Sequence, residues 1–136
     1  MAVTYSSSLK TNRMNLVLNA LGTATAPTIS TTGTAAGSLV IGTSALSGAT
    51  GVLATIALST TPASVAGSVL TLSGVPLSVA ASASGTAALA ELRNNAGTVI
   101  VSGLTVGTSG TDIIISNTTI TSGQTVQVTS GTITHA

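Results

Sequence analysis

The chain has 136 residues, which is the size of a single domain. Only 4% of its residues are charged, its formal net charge is +1, and it contains no cysteine, phenylalanine or tryptophan. These features exclude disulfides and thiolate metal sites, and they weigh against nucleic-acid binding, which needs basic patches or stacking rings. In addition, no apolar run is long enough for a membrane-spanning helix. We therefore expect neither nucleic acid nor a membrane as a partner.

So few charges make the surface poorly suited to a free monomer. Soluble domains usually carry charges on about a quarter of their residues, and this charge keeps molecules apart in solution. Here Ser, Thr, Gly and Ala must supply most of the surface. The composition therefore predicts that other protein subunits cover much of it, and that the chain is a structural protein.

The first predicted element is a helix over residues 7–21. Four apolar residues have the i, i+3, i+4, i+7 spacing of one helix face: Met14, Val17, Leu18 and Leu21. Three asparagines are predicted to lie on the opposite face: Asn12, Asn15 and Asn19. One of the serines at positions 6–8 can cap the N-terminus, and Gly22 is suited to end the helix.

Two of the three cations, Lys10 and Arg13, lie in the first two turns of this helix. The positive end of the helix dipole disfavours cations there, and carboxylates of a neighbouring subunit would offset that effect. We therefore predict that residues 1–37, a helix and an extended arm, are an attachment element rather than part of the sandwich core, and that they bind a partner through both cations and the apolar face. The alternative is that the helix covers one end of its own sandwich and that both cations are solvated.

The same segment has some features of a signal peptide. Lys10 and Arg13 precede an apolar stretch, and Ala24-Thr25-Ala26 fits the pattern of a cleavage site. Asn15 and Asn19 interrupt the apolar stretch, however, so we do not expect cleavage there.

Short apolar segments separated by Gly, Ser and Thr recur from residue 38 onward, at the spacing of about 8 to 12 residues that is typical of sandwiches. The sequence thus predicts an all-β fold, a β-sandwich or jelly-roll-like domain over residues 38–136, after the short N-terminal helix. Nine strands are predicted: Ser38–Gly42, Val52–Leu58, Ser68–Leu72, Leu77–Ala83, Ala87–Arg93, Thr98–Ser102, Asp112–Ser116, Thr125–Thr129 and Thr132–His135.

Two local patterns are more specific. Asn94-Asn95-Ala96-Gly97 between two strands predicts a hairpin loop, because Asn and Gly adopt positive φ readily. Near the end, Val126 and Val128 alternate with polar residues and are predicted to face the core, as is Ile114.

The chain offers few residues for catalysis. Glu91, Asp112, His135 and Tyr5 are the only side chains besides the cations that titrate, and no Gly-x-Ser-x-Gly motif is present with a histidine and an acid to complete a hydrolase triad. We predict no enzyme activity, and no catalytic, cofactor-binding or metal-binding residues. Glu91 and Arg93, two apart in a strand, are expected to form a partly screened pair that contributes less than about 1 kcal/mol.

Both ends of the sequence carry a resemblance. Residues 1–14 (MAVTYSSSLKTNRM) resemble the start of small virion proteins encoded by tailed bacteriophages, and residues 101–108, 120–126 and 129–135 resemble the closing strands of that group. The resemblance implies a decoration or cement protein bound over the capsid lattice and made in the host cytoplasm. Its partners would be the major capsid protein and copies of itself, with a trimer as the preferred assembly, and no small-molecule substrate.

Two other functions remain open from the sequence. A phage fibre or secreted adhesin whose β-domain binds a surface ligand is the main alternative, although aromatic platforms and carboxylate clusters are scarce. A small hydrolase is the third hypothesis.

Overall fold

The structure is a computed structural model that describes residues 3–20, 37–58, 63–94 and 97–134. Within these ranges the chain forms one helix and eleven strands: α1 Ser7–Ala20, β1 Ser38–Ser47, β2 Thr50–Ala57, β3 Ala63–Ala66, β4 Val69–Leu72, β5 Leu77–Ala80, β6 Gly85–Thr86, β7 Leu89–Arg93, β8 Val99–Gly107, β9 Ile113–Ile115, β10 Thr119–Ile120 and β11 Thr125–Thr134. The predicted all-β, sandwich-like fold with a short N-terminal helix is confirmed.

Helix α1 begins where a serine can cap it. The Ser6 hydroxyl accepts a hydrogen bond from the backbone N–H of Leu9 at 3.3 Å, and the Ser6 carbonyl accepts one from Lys10 at 3.1 Å. The first N–H groups of a helix have no partner within the helix, so this cap stabilises the first turn. Ser6 is thus the cap among the three predicted serines, whereas Gly22 lies outside the described residues.

Nine of the strands form one mixed sheet. Eight of them follow the order β2-β1-β7-β8-β9-β11-β4-β3, and β5 joins through β11. Every pairing is antiparallel except that of β8 with β9, and β6 and β10 form a separate two-stranded sheet. The sheet curls back on itself, so that β2 lies next to the end of β5. Ser82, just after β5, donates from its backbone N–H (2.8 Å) and its hydroxyl (3.2 Å) to the carbonyl of Leu53 in β2.

A single aliphatic core lies between the two halves of this curled sheet. Strands β1, β2 and β7 contribute buried side chains to it, as do β4, β9 and β11. The largest fully buried side chains are Leu39, Val40, Ile41, Leu53, Leu70, Leu92, Ile113, Ile115 and Val128. Full burial of such a side chain contributes about 1.5 to 3 kcal/mol, so aliphatic residues alone can support the fold.

The predicted strands agree with the structure in position but not in extent. Strands β1 and β8 are about twice as long as predicted, and the last two predicted strands are one continuous strand, β11. Strands β3, β6 and β10 were not predicted from the sequence. Two of these, β6 and β10, have only two residues each, and a period of two cannot be recognised over so short a stretch.

The predicted antiparallel pairing of β7 with β8 is confirmed on both sides of the hairpin loop, whose Asn95 and Ala96 lie outside the described residues. Arg93 pairs with Val99, the Asn94 N–H donates to the Thr98 carbonyl at 2.9 Å, and the Asn94 side-chain oxygen accepts from the Thr98 N–H at 2.9 Å. Gly97 has a φ of 86°, a conformation that glycine adopts without strain.

Core orientation was predicted correctly for β11 but not for β9. Val126 and Val128 are buried, whereas the alternating Thr125, Gln127 and Thr129 are exposed. Ile114, which the sequence analysis assigned to the core, is only half-buried, and its neighbours Ile113 and Ile115 fill the core instead. In β9 the assigned face was therefore wrong.

We expect Val128→Ala to lower the free energy of unfolding by roughly 1 to 3 kcal/mol, because it removes apolar contacts and leaves a cavity at a position that is 0% exposed. Gln127→Ala, on the exposed side of the same strand, should change it by less than about 0.5 kcal/mol. Urea denaturation of both variants measures the difference. Equal midpoints for Val128→Ala and the parent would contradict the assigned orientation of β11.

Candidate partner-binding surface

Glu91 and Arg93 form an ion pair in β7. The Arg93 guanidinium donates to one oxygen of the Glu91 carboxylate from Nη2 at 2.9 Å and from Nε at 3.1 Å. Arg93 Nη2 also donates to the carbonyl of Gly48, at 2.6 Å, in the turn between β1 and β2. The pair was expected to be partly screened, but the side chains are only 16% (Arg93) and 9% (Glu91) exposed. It therefore ties a turn to the sheet at a site where both side chains have little contact with solvent.

The other carboxylate, Asp112, is also engaged within the chain. It lies just before β9 and accepts hydrogen bonds from the backbone N–H and the hydroxyl of Thr105, both at 3.0 Å. The Thr105 hydroxyl in turn accepts from the Asp112 N–H at 3.1 Å. These three bonds hold the connection between β8 and β9, so Asp112 has a structural role.

Two cations remain outside this arrangement, Lys10 and Arg13. The sequence contains two acidic side chains, Glu91 and Asp112, and both have their contacts elsewhere. Over the described ranges, neither Lys10 nor Arg13 forms an ion pair. Instead, the guanidinium carbon of Arg13 lies 4.9 Å from the centre of the Tyr5 ring, which is a cation–π contact.

Exposed apolar side chains lie in the same N-terminal stretch of the chain as these cations. Four of the six large hydrophobic residues that are exposed within the described ranges lie here: Val3, Tyr5, Leu9 and Leu16. Leu9, Arg13 and Leu16 have the i, i+4, i+7 spacing of one helix face. We call Val3, Tyr5, Leu9, Lys10, Arg13 and Leu16 together the N-terminal surface.

The predicted apolar face of the helix contacts this chain's own domain. Met14 is 2% exposed and belongs to the aliphatic core, and Val17 packs against that core while remaining half-buried. Helix α1 contacts β3, β4 and β8, and the Thr11 hydroxyl donates to the carbonyl of Gly67 in the β3–β4 turn at 2.7 Å. The expectation that the N-terminal segment stays out of the core is therefore wrong for Met14. The side chain of Leu18, the whole of Leu21 and His135 lie outside the described residues.

The two faces of α1 also differ in composition from the prediction. Asn15, which was assigned to the solvent face, is buried at 8% exposure, while Leu16 is exposed. Leu9 and Leu16 were not predicted to be part of an apolar surface, because the asparagines indicated that their side of the helix is polar. The spacing of Leu9 and Leu16, seven residues apart, would have revealed them as a second apolar pair.

Comparisons with known proteins found no matching family model, no matching curated protein and no matching solved structure. The one helix of the described chain lacks the length and hydropathy to cross a membrane. The residues that the structure describes contain no group of three or more His, Cys, Asp or Glu side chains placed to hold a metal ion.

Proposed function

We propose that this chain is a structural protein of a bacteriophage particle, a decoration or cement protein that binds the head lattice and stabilises it. Its charge content of 4% supports a protein whose surface is covered in the working state. The resemblance of both ends of the sequence to small virion proteins supports the phage particle as the site of assembly.

The observation that carries the proposal is the N-terminal surface. It combines four exposed apolar side chains with two cations that have no carboxylate partner over the described ranges. Exposed apolar residues grouped in this way are typical of protein interaction sites, whereas scattered single ones are not. The aliphatic sandwich behind it provides a rigid support, since α1 is fastened to it through Met14 and Thr11.

Binding to phage heads tests this function. Purified chain is mixed with heads of the phage that encodes it, prepared without this protein, and the heads are sedimented. We expect saturable binding at a fixed number of copies per capsid protein, and heads that withstand heating better once loaded. Binding to tail fibres or to the host surface, with none to heads, would favour the fibre or adhesin function instead.

We also expect the isolated chain to be an oligomer, with a trimer as the preferred state. The physical reason is its net charge of +1, which gives little repulsion between molecules. Sedimentation equilibrium at micromolar concentration measures the mass directly against the monomer mass of 12.9 kDa. A soluble monomer that also ignores heads would contradict both the assembly and the function.

A further inference from the structure

We infer that the N-terminal surface binds an acidic face of a different protein, and that copies of this chain contact one another elsewhere. The inference rests on the proposed function in one respect, since the head lattice would supply that acidic face. The positions of the few charged side chains in the structure support the inference.

A second copy of the chain has few carboxylates that could bind this surface. Its Glu91 is 7% exposed and is bound to Arg93. Its half-exposed Asp112 is a single carboxylate, and Oδ2 of that carboxylate already accepts two hydrogen bonds from Thr105. In a twofold dimer the same patch meets itself, so Lys10 and Arg13 of one copy would face the same cations of the other. Like charges brought together in this way oppose association.

A partner with carboxylates satisfies the surface in two ways. Arg13 is positioned by its contact with the Tyr5 ring, and a guanidinium stacked on a ring can still donate from its edge to a carboxylate. A carboxylate would also offset the unfavourable placement of two cations in the first turns of α1. Leu9 and Leu16 lie on either side of Arg13 along the helix, so the partner should present apolar residues flanking its acidic ones.

A charge-relocated variant provides the sharpest comparison. Lys10→Gln with Arg13→Gln removes both cations, and adding Thr125→Lys and Gln127→Lys restores the net charge on exposed positions of β11. We expect both the double and the relocated variant to bind heads roughly 10-fold more weakly than the parent, because each exposed ion pair accounts for only a few-fold in affinity. Binding by the parent should weaken with added salt, and binding by the variants should change less.

Lys10 is the only lysine of the chain, which makes a second readout possible. Carbodiimide joins an amine directly to a carboxylate with which it is in contact. We expect a cross-link between Lys10 and an acidic residue of the head protein, found by mass spectrometry. Lys10→Arg keeps the charge but has no side-chain amine to couple, so it should bind heads and lose this cross-link.

A resin that carries both carboxylate and phenyl groups separates this inference from the proposed function. The parent should elute at higher salt than the relocated variant, whether or not heads are its target. Later elution together with absent head binding would uphold the surface chemistry and overturn the head-binding function. Equal behaviour of the parent and the relocated variant on heads and on the resin would overturn the inference. A Lys10 cross-link to Asp112 of a second copy, lost in Asp112→Asn, would also overturn it.

Discussion

Replacing Ile113 with alanine should lower the free energy of unfolding by about 2 to 5 kcal/mol. Ile113 is 0% exposed and lies where three strands meet, since it pairs with Val106 of β8 and with Gly131 of β11. The surrounding backbone is constrained by both pairings, so we expect the cavity to remain largely unfilled. Small domains are stable by about 5 to 15 kcal/mol, and this single change would remove a large part of that.

Ile114→Ala is the matched control, because it removes the same atoms from the adjacent, half-buried position of the same strand. It should cost clearly less than Ile113→Ala in the same urea titration. If Ile114→Ala proved the more damaging of the two, Ile114 rather than Ile113 would face the core, which would contradict the orientation of β9 in the structure.

The second large effect is expected at the buried ion pair. Glu91→Ala should destabilise the domain by about 3 to 5 kcal/mol, because it leaves the Arg93 guanidinium with little water and no carboxylate. The hydrogen bond from Arg93 to the Gly48 carbonyl remains but does not neutralise the charge. The loss should vary little with added salt, since buried pairs are weakly screened.

Replacing both partners together separates the charge effect from packing. Glu91→Leu with Arg93→Leu exchanges the pair for apolar side chains, a change that is often neutral or stabilising at buried sites. Chemical denaturation of the single and double variants in low and high salt measures both effects. A loss below about 1 kcal/mol in Glu91→Ala would instead indicate the solvent-screened pair that the sequence alone suggested.

The fold class could be predicted from the sequence because strand periodicity and turn residues are local signals. Val126 and Val128 alternate with polar residues, so their direction is readable from a period of two. Ile113, Ile114 and Ile115 carry no such contrast, and only the pairing of β9 with β8 and β11 determines which of them turn inward. Likewise, β3 depends on its pairing with β4 and on contact with α1, which no local pattern reveals.

The candidate site could be predicted only in part. Lys10 and Arg13 were identified from their position in the helix, and they belong to the surface that the structure leaves exposed or half-buried. Of the apolar residues predicted for the site, Met14 packs into the core, whereas Leu9 and Leu16, which were not predicted, remain exposed. A helix with leucines on both sides has two candidate faces, and the choice between them is made by packing against the sheet.

Electron cryomicroscopy of phage heads saturated with the chain tests the proposed function most directly. We expect ordered β-sandwich density at repeated positions on the outer surface of the lattice, with α1 facing the capsid protein and Lys10 and Arg13 next to its carboxylates. Heads without added density would contradict the proposed function. Density in which the N-terminal surface points to solvent would uphold the function and contradict the surface assigned to it.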